Sequence, residues 1–395
     1  MSASPPARTL VIVGNGPGEV AGWAIPIAAE AREQAARRGA AVQVALCLPP
    51  CQFASGQEEA AAAEAGVFDR IVSPREVARL ALGLRGWVPA HPAAILHVGG
   101  DPWYSRRLAR RWRAPAYAFV ERAHVARVHR DYARIFVPSA DLRDRLVHYG
   151  VPADKVIVTG DPRHDAVLGA RAGPAPSRNG GPPRVTFLAG SRDAVFSAMF
   201  PFWVATAAAL RRRLPEARLC AVISPFVSPA VRRETVGRQQ PTIEAAGLEV
   251  GDGGWPGVVG SDLVLTIPGT NTLELAILRI PSLVVVPLSL APHIPAEGIV
   301  EWLTRVPYVG PALRLRLARR VVRRLPYVAL PNMRMGRQIM PELIGAVTPE
   351  HVAEETARLI RDPLARTALA RSLESLPLEV GASARILDAI RPEAA

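Results

Sequence analysis

Two glycine-rich turns and a few charged residues carry the chemistry that this sequence offers. The first turn, Gly14-Asn15-Gly16-Pro17-Gly18-Glu19, follows directly on the β-rich run Arg8 to Val13 and leads into an alanine-rich helical stretch. It has the outline of a dinucleotide-binding loop but fails in detail. Glu19 stands where the third glycine of G-x-G-x-x-G belongs, and the second strand ends in Val44-Ala45-Leu46-Cys47 with no acid for a ribose. A carboxylate at a helix N-terminus repels a pyrophosphate, which argues against NAD or FAD. Glu19 reads either as an N-terminal helix charge, stabilising by roughly 0.3–1 kcal/mol, or as a carboxylate able to receive sugar hydroxyls.

The second turn is Pro268-Gly269-Thr270-Asn271-Thr272-Leu273-Glu274, between an apolar strand and an apolar helix. Gly269 allows close backbone approach to a ligand, and Thr270, Asn271 and Thr272 set polar groups beside free helix N–H donors. That is an anion site, or plain N-capping by Thr270 or Asn271. Glu274, one turn further in, could accept two ribose hydroxyls. Gly190-Ser191-Arg192 follows another strand of the same half, and Arg192 could clamp a diphosphate through paired hydrogen bonds. Asp101, after Ile95-Leu96-His97-Val98-Gly99-Gly100, is a candidate general base or a helix cap.

The elements that must position these residues alternate strand and helix. Strands are expected at 8–13, 41–48, 93–98, 116–120 and 134–137, then at 184–188, 219–223, 263–267 and 282–286. Helical patterns stand between them, and the chain closes with helices from Pro349 to Arg361 and on to Ile390. Such alternation predicts parallel sheets covered on both faces. The Gly-, Pro- and Ser-rich stretch at 168–184 reads as a linker, so the expected fold is two doubly wound Rossmann-like α/β domains facing a central cleft. The boundaries are 1–167, the linker 168–184, and 185–362, with helices over 363–395 packing back on the first domain.

The bulk properties fit. The 395 residues, 49% of them hydrophobic, suffice for two or three cored domains and exclude global disorder. Three cysteines cannot make a disulfide framework and point to a reducing compartment. The start lacks the pattern of a secretory signal, and the apolar run 275–290 is broken by Arg279, Pro281 and Pro287, so no membrane span is expected. The net charge of +13 calls for an anionic partner: nucleic acid, phosphorylated substrate or anionic lipid. No zinc-finger, RNP or helix-turn-helix pattern supports nucleic acid, and no His, Cys or acid spacing predicts a metal or other cofactor.

Between Trp302 and Pro326 lie seven arginines and no acid. Wound as a helix over 311–325, Arg316, Arg319, Arg320, Arg323 and Arg324 gather on one side and leucines and valines on the other. The reading is an anionic membrane surface, contacted by Trp302, Arg316, Arg320, Arg323 and Arg324, or an ordinary surface helix.

Together the motifs resemble the lipid-A-disaccharide synthase family, glycosyltransferases of the GT-B fold, over nearly the whole chain. Gly18-Glu19-Val20-Ala21-Gly22 is similar to G-E-x-S-G-D, and Gly100-Asp101-Pro102-Trp103-Tyr104-Ser105 to G-x-D-x-P-D-F-N. Phe187 to Arg192 is similar to L-L-P-G-S-R, and Pro268 to Glu274 to S-G-T-A-T-L-E. Most specific is Tyr327 to Asn332 with Gly336-Arg337 and Pro341-Glu342-Leu343, similar to Y-I-S-L-P-N, G-R and P-E-L/F. The resemblance implies an inverting transfer of acylated glucosamine from a UDP-sugar to an acylated sugar or other lipid-linked acceptor. The enzyme would need no metal and would work on the inner face of the cytoplasmic membrane, with an oligomer permitted. It implies Glu19 at the sugar site and Asp101 as base. The UDP site would comprise Gly190, Ser191, Arg192, Gly269, Thr270, Asn271, Thr272, Glu274, Asn332 and Arg337. The chain departs from the family at Trp23 (Asp in the family), Ala21, Ala189 and Pro268, and it lacks the acceptor-side S-V-W-A-W. A different lipid acceptor, or a non-catalytic basic relative that binds membrane or nucleic acid, are the alternative readings.

Overall fold

The computed structural model describes residues 8–51, 54–170, 181–253, 257–290 and 326–390. They form two units, one comprising 1–166 and 379–395 and the other 167–378. The first holds seven parallel strands: β1 (Arg8–Val13), β2 (Val42–Cys47), β3 (Arg70–Val72), β4 (Pro92–His97), β5 (Ala116–Phe119), β6 (Arg134–Val137) and β7 (Val156–Val158), in the order β3-β2-β1-β4-β5-β6-β7. Side chains alternate across this sheet. Val11, Val13 and Ile95 enter the core on one face, and Leu10, Ile12 and Leu96 the core on the other. Both faces are buried, so β1 reads as a continuous apolar run rather than an alternating one.

The second unit repeats the plan with β8 (Arg184–Leu188), β9 (Arg218–Ile223), β10 (Leu248–Asp252), β11 (Leu263–Thr266), β12 (Ser282–Pro287) and β13 (Glu342–Gly345), ordered β10-β9-β8-β11-β12-β13 and again parallel. In each sheet the order reverses once, at β1/β4 and at β8/β11. In a doubly wound sheet that reversal marks the crevice, at the carboxyl edge, where the loops leaving the two strands meet.

The helix Asp193–Arg213 is long and apolar enough to cross a membrane by length and composition. Its Phe196, Phe200, Trp203, Val204, Ala207 and Leu210 are buried in the core of the second unit. Each large one contributes about 1.5–3 kcal/mol by leaving water, which is the role of a core helix.

Three features differ from the sequence-based expectation. The strands β3, β7, β10 and β13 are additional; they are short and lie at or beside sheet edges. The helix at 19–38 is interrupted: Pro17–Glu19 and Ile25–Arg37 are joined by a π-turn over Val20–Ala24. The tail over 363–395 divides. Helix Pro363–Glu374 belongs to the second unit, and helix Ala382–Ile390 to the first. In the first unit, Asp165 accepts from Gly381 N (2.6 Å) and Ser383 N (2.8 Å), capping helix Ala382–Ile390. Arg385 Nε donates to Thr159 O (2.7 Å), Tyr117 Oη donates to Ile390 O (3.3 Å), and Ile386, Leu387 and Ile390 belong to the same core as Ile27, Tyr117 and Phe136.

Candidate active site

At the β1/β4 crevice the glycine loop is occupied by the chain's own carboxylate. Glu19 Oε2 accepts from Asn15 N (2.9 Å) and Oε1 from Gly100 N (3.3 Å), so one side chain ties together the loops after β1 and β4. Asn15 Nδ2 donates to Pro49 O (2.6 Å) and adds the loop after β2. Gly99 makes this possible: a Cβ there would stand 1.9 Å from Glu19 Cδ. Burial drives the Glu19 carboxyl up to about 7, against the two backbone donors that favour its charge, with smaller upward contributions from Glu121 and Glu58. A carboxyl poised near neutrality can hold or receive a proton at working pH, the property of a general base or acid. In the structure the Glu19 carboxylate organises the loops after β1 and β4.

Asp101 begins the helix Pro102–Trp112. Its Oδ1 accepts from Trp103 N (2.8 Å), the capping role, and the residue is exposed at the carboxyl end of β4. Beneath it, His97 is fully buried; burial first, then His124, hold its pKa down near 3, so the ring stays neutral.

Sequence reasoning missed a buried charged group beside the π-turn. Arg163, 1% exposed, pairs with Glu121 Oε1 (3.1 Å) and with the equally buried Asp161 Oδ2 (3.4 Å). Trp23 Nε1 donates to Asp161 Oδ1 (3.1 Å), and the Arg163 guanidinium lies 5.0 Å from the centre of the indole ring. A Cβ on Gly22 would come within 3.0 Å of Arg163 Nε. The indole at position 23 thus has a definite role, donating to a buried carboxylate and facing a buried cation. The signal was present in the sequence. Gly160-Asp161-Pro162 after β7 repeats Gly100-Asp101-Pro102 after β4. Both glycines have positive φ (+79° and +76°), and Asp161, like Asp101, accepts from the backbone two residues on (Arg163 N, 3.0 Å).

In the second unit the β8/β11 crevice has the opposite character. Gly190 (φ +93°) and Gly269 (φ +155°) hold backbones that a side chain would strain, and a Cβ on Gly190 would meet Ile267 Cδ1 at 3.1 Å. Gly190 therefore packs against Ile267, at the start of the loop after β11. Helix Thr270–Ile277 starts from Gly269 with no side-chain cap; Thr272 N donates to Gly269 O (3.1 Å), and the amides of Thr270 and Asn271 stand at the positive end of the helix dipole. Arg192 occupies the N-cap position of helix Asp193–Arg213 on the neighbouring loop. Asn271 and Thr272 turn inward: Asn271 Nδ2 donates to Thr266 Oγ1 (2.6 Å), and the buried Thr272 Oγ1 donates to Gly269 O (2.8 Å) and accepts from Leu330 N (3.2 Å). They fix the loop. Thr270 and Glu274 are half-buried on the same helix.

Asn332 is corrected. It is fully buried, and its amide is saturated: Oδ1 accepts from Ile339 N (2.7 Å) and Met340 N (2.9 Å), and Nδ2 donates to Met340 O (2.7 Å) and Glu342 Oε1 (2.8 Å). No hydrogen-bonding capacity remains for a nucleotide. Glu342 in turn accepts from Val328 N and Ala329 N. The most specific motif of the chain is thus a latch that holds the segment 328–332 against Thr272 and β13. Arg337 is exposed just beyond it. The expected membrane contacts, Trp302, Arg316, Arg320, Arg323 and Arg324, lie outside the described residues.

No protein-family model matches the chain. Among curated proteins it is similar to the lipid-A-disaccharide synthase of Chromobacterium violaceum, 31% identical over 205 residues, which cover 50% of this chain and 45% of that protein. The enzymes of the same name from Burkholderia lata (29% over 203 residues; 50% and 44%) and Anaeromyxobacter dehalogenans (30% over 199 residues; 50% and 45%) are similar to the same degree. The chain thus spans under half the length of the curated relatives it matches. Among solved structures, the fold is that of Staphylococcus aureus MnaA, solved with UDP (TM-score 0.58, 15% identity, 98% of this chain and 96% of that one). It is also that of Neisseria meningitidis UDP-GlcNAc 2-epimerase bound to UDP-GlcNAc (0.56, 14%, 97% and 99%) and of Acinetobacter baumannii MurG (0.50, 13%, 98% and 99%). The two-unit α/β architecture is the GT-B fold.

Proposed function

We propose that the chain is a UDP-sugar-dependent glycosyltransferase of the lipid-A-disaccharide synthase type, moving an acylated glucosamine to an acylated sugar or other lipid-linked acceptor with inversion. The observation that carries this reading is the β8/β11 crevice: Gly190 packed against Ile267, a helix start without a side-chain cap, and Arg192 on the neighbouring loop, in a chain similar to curated synthases of that name. The N-terminal amides of helix Thr270–Ile277 and the Arg192 guanidinium would receive the diphosphate and the charge that develops on it as UDP leaves. Glu274 would accept ribose hydroxyls.

On the acceptor side, Asp101 or Glu19 would take the proton of the attacking hydroxyl. Glu19 has the pKa for that role, and Asp101 the exposure. The charge of +13 supports work at an anionic membrane surface, here the inner face of the cytoplasmic membrane. Trp23, in place of the family's acid, favours a lipid acceptor other than the family's acylated sugar as a second reading.

Calorimetric titration with UDP, without metal, tests the proposal against the Arg192→Ala variant. Binding that falls at least about tenfold in the variant, some 1.4 kcal/mol, is expected. A wild-type chain that does not bind UDP overturns it.

A further inference from the structure

The first unit carries a second concave site, at the edge of the sheet opposite to Glu19 and Asp101. Pro115, Ala133 and Lys155 stand immediately before β5, β6 and β7 and line a depression of about 440 Å3 at the amino ends of those strands. Cations reach it from three separate elements. Arg106, Arg110 and Arg113 come from helix Pro102–Trp112 and its left-handed end, Arg130 from the 3-10 segment Ala123–Asp131, and Lys155 from the turn Ala153–Lys155.

Among the described residues of the lining Asp131 is the one acid, and it is already engaged: Oδ2 accepts from Arg106 Nε (2.6 Å) and Oδ1 from Arg110 (2.7 Å). Burial works to raise this carboxyl, but the hydrogen bonds from Arg110 and Arg106 outweigh it and hold it below its ordinary value. Asp131 therefore sets two guanidiniums in place and leaves a large excess of positive charge.

The dipole at the end of helix Pro102–Trp112 explains cations at Arg110 and Arg113. It does not explain Arg130 and Lys155, which belong to other elements. Lys155 is the only lysine in a chain that otherwise uses arginine. Its Nζ donates to Tyr132 O (3.0 Å), which anchors the ammonium and leaves two of its protons for a ligand. Planar guanidinium forks around a point-like ammonium match the oxygens of a phosphate group.

We propose that this depression binds a phosphate-bearing anion, at a site separate from the β1/β4 crevice and independent of the function proposed above. The test uses the full chain at low ionic strength. Inorganic pyrophosphate is titrated by calorimetry, and phosphatidylglycerol vesicles are compared with phosphatidylcholine vesicles by co-sedimentation. The variant Lys155→Met with Arg130→Gln keeps the side-chain stems and removes two charges. Arg75→Ala with Arg79→Ala removes two exposed charges from helix Pro74–Ala81 as a control. A tenfold or greater loss of pyrophosphate affinity in the first variant, with the control unchanged, supports a soluble phosphate ligand. The same pattern confined to phosphatidylglycerol vesicles supports a lipid headgroup as the source of the phosphate. Equal affinities in wild type and the Lys155/Arg130 variant, an equal loss in the control, or no binding of either probe overturns the proposal.

Discussion

The two crevices occupy the same place in two sheets of the same topology, yet they are built with opposite charge. At β1/β4 the backbone donors of the glycine loop are taken by Glu19, a carboxylate from the chain itself. At β8/β11 the equivalent loop leads to Arg192, and the facing helix begins at Gly269 without a side-chain cap. One fold position is thus built in two ways. An internal carboxylate closes the first loop and leaves a titrating group there, whereas the second has no side-chain cap on its facing helix, the feature on which the proposed UDP site rests. The difference turns on one residue of the glycine pattern: where Glu19 replaces a glycine, the ligand is supplied in advance.

Three substitutions break or sharpen this contrast. The largest effect is expected from Gly99→Ala, because its methyl would overlap the Glu19 carboxyl group. The carboxylate must leave its two donors, and a loss of about 3 kcal/mol in denaturant unfolding is expected. A variant as stable as wild type would mean that Glu19 does not close this loop.

Next is the pH response of Glu19. Its folded pKa, about 7, lies above the ordinary 4.5, so the fold holds the proton more tightly than the unfolded chain does. The stability linked to this proton is complete below 4.5 and is lost as the pH rises towards 7. Between pH 5 and pH 8 wild type should lose about 2 kcal/mol more than Glu19→Gln. Parallel pH profiles would place the carboxylate in water.

Gly269→Ala acts on the other crevice, where φ of +155° disfavours any side chain and the loop should approach a ligand closely. UDP affinity is expected to fall about tenfold, near 1.4 kcal/mol, in the calorimeter. The same substitution should leave the pH profile of Glu19 untouched; a change there would couple the two crevices.

Much of this was legible in the sequence. Strand, glycine turn and helix repeat in both halves because a parallel sheet buried on two faces needs apolar runs and sharp exits, and each is a local pattern. The short strands β3, β7, β10 and β13 escaped, since three to five residues carry no period. Asn332 was misassigned for a different reason. Its partners at Ile339, Met340 and Glu342 explain why an asparagine stands there, but a motif does not reveal whether its members face a ligand or one another. The Trp23–Asp161 pair spans 138 positions, beyond any local pattern. Only the repeated Gly-Asp-Pro at 100–102 and 160–162 pointed towards it.

Helix Ala382–Ile390, at the far end of the chain, completes the core of the unit that the chain begins. Topologically, the second unit is an insertion in the first. During synthesis the first unit therefore waits for its last piece while residues 167–378 are made, about 10–40 s at ordinary elongation rates. The part translated first is the last to finish folding. Until then the core that holds Ile27, Tyr117 and Phe136 lacks Ile386, Leu387 and Ile390, an apolar face for a chaperone to shield. A fragment ending at Ala166 would keep that face permanently bare, whereas 167–378 is one unbroken length of chain.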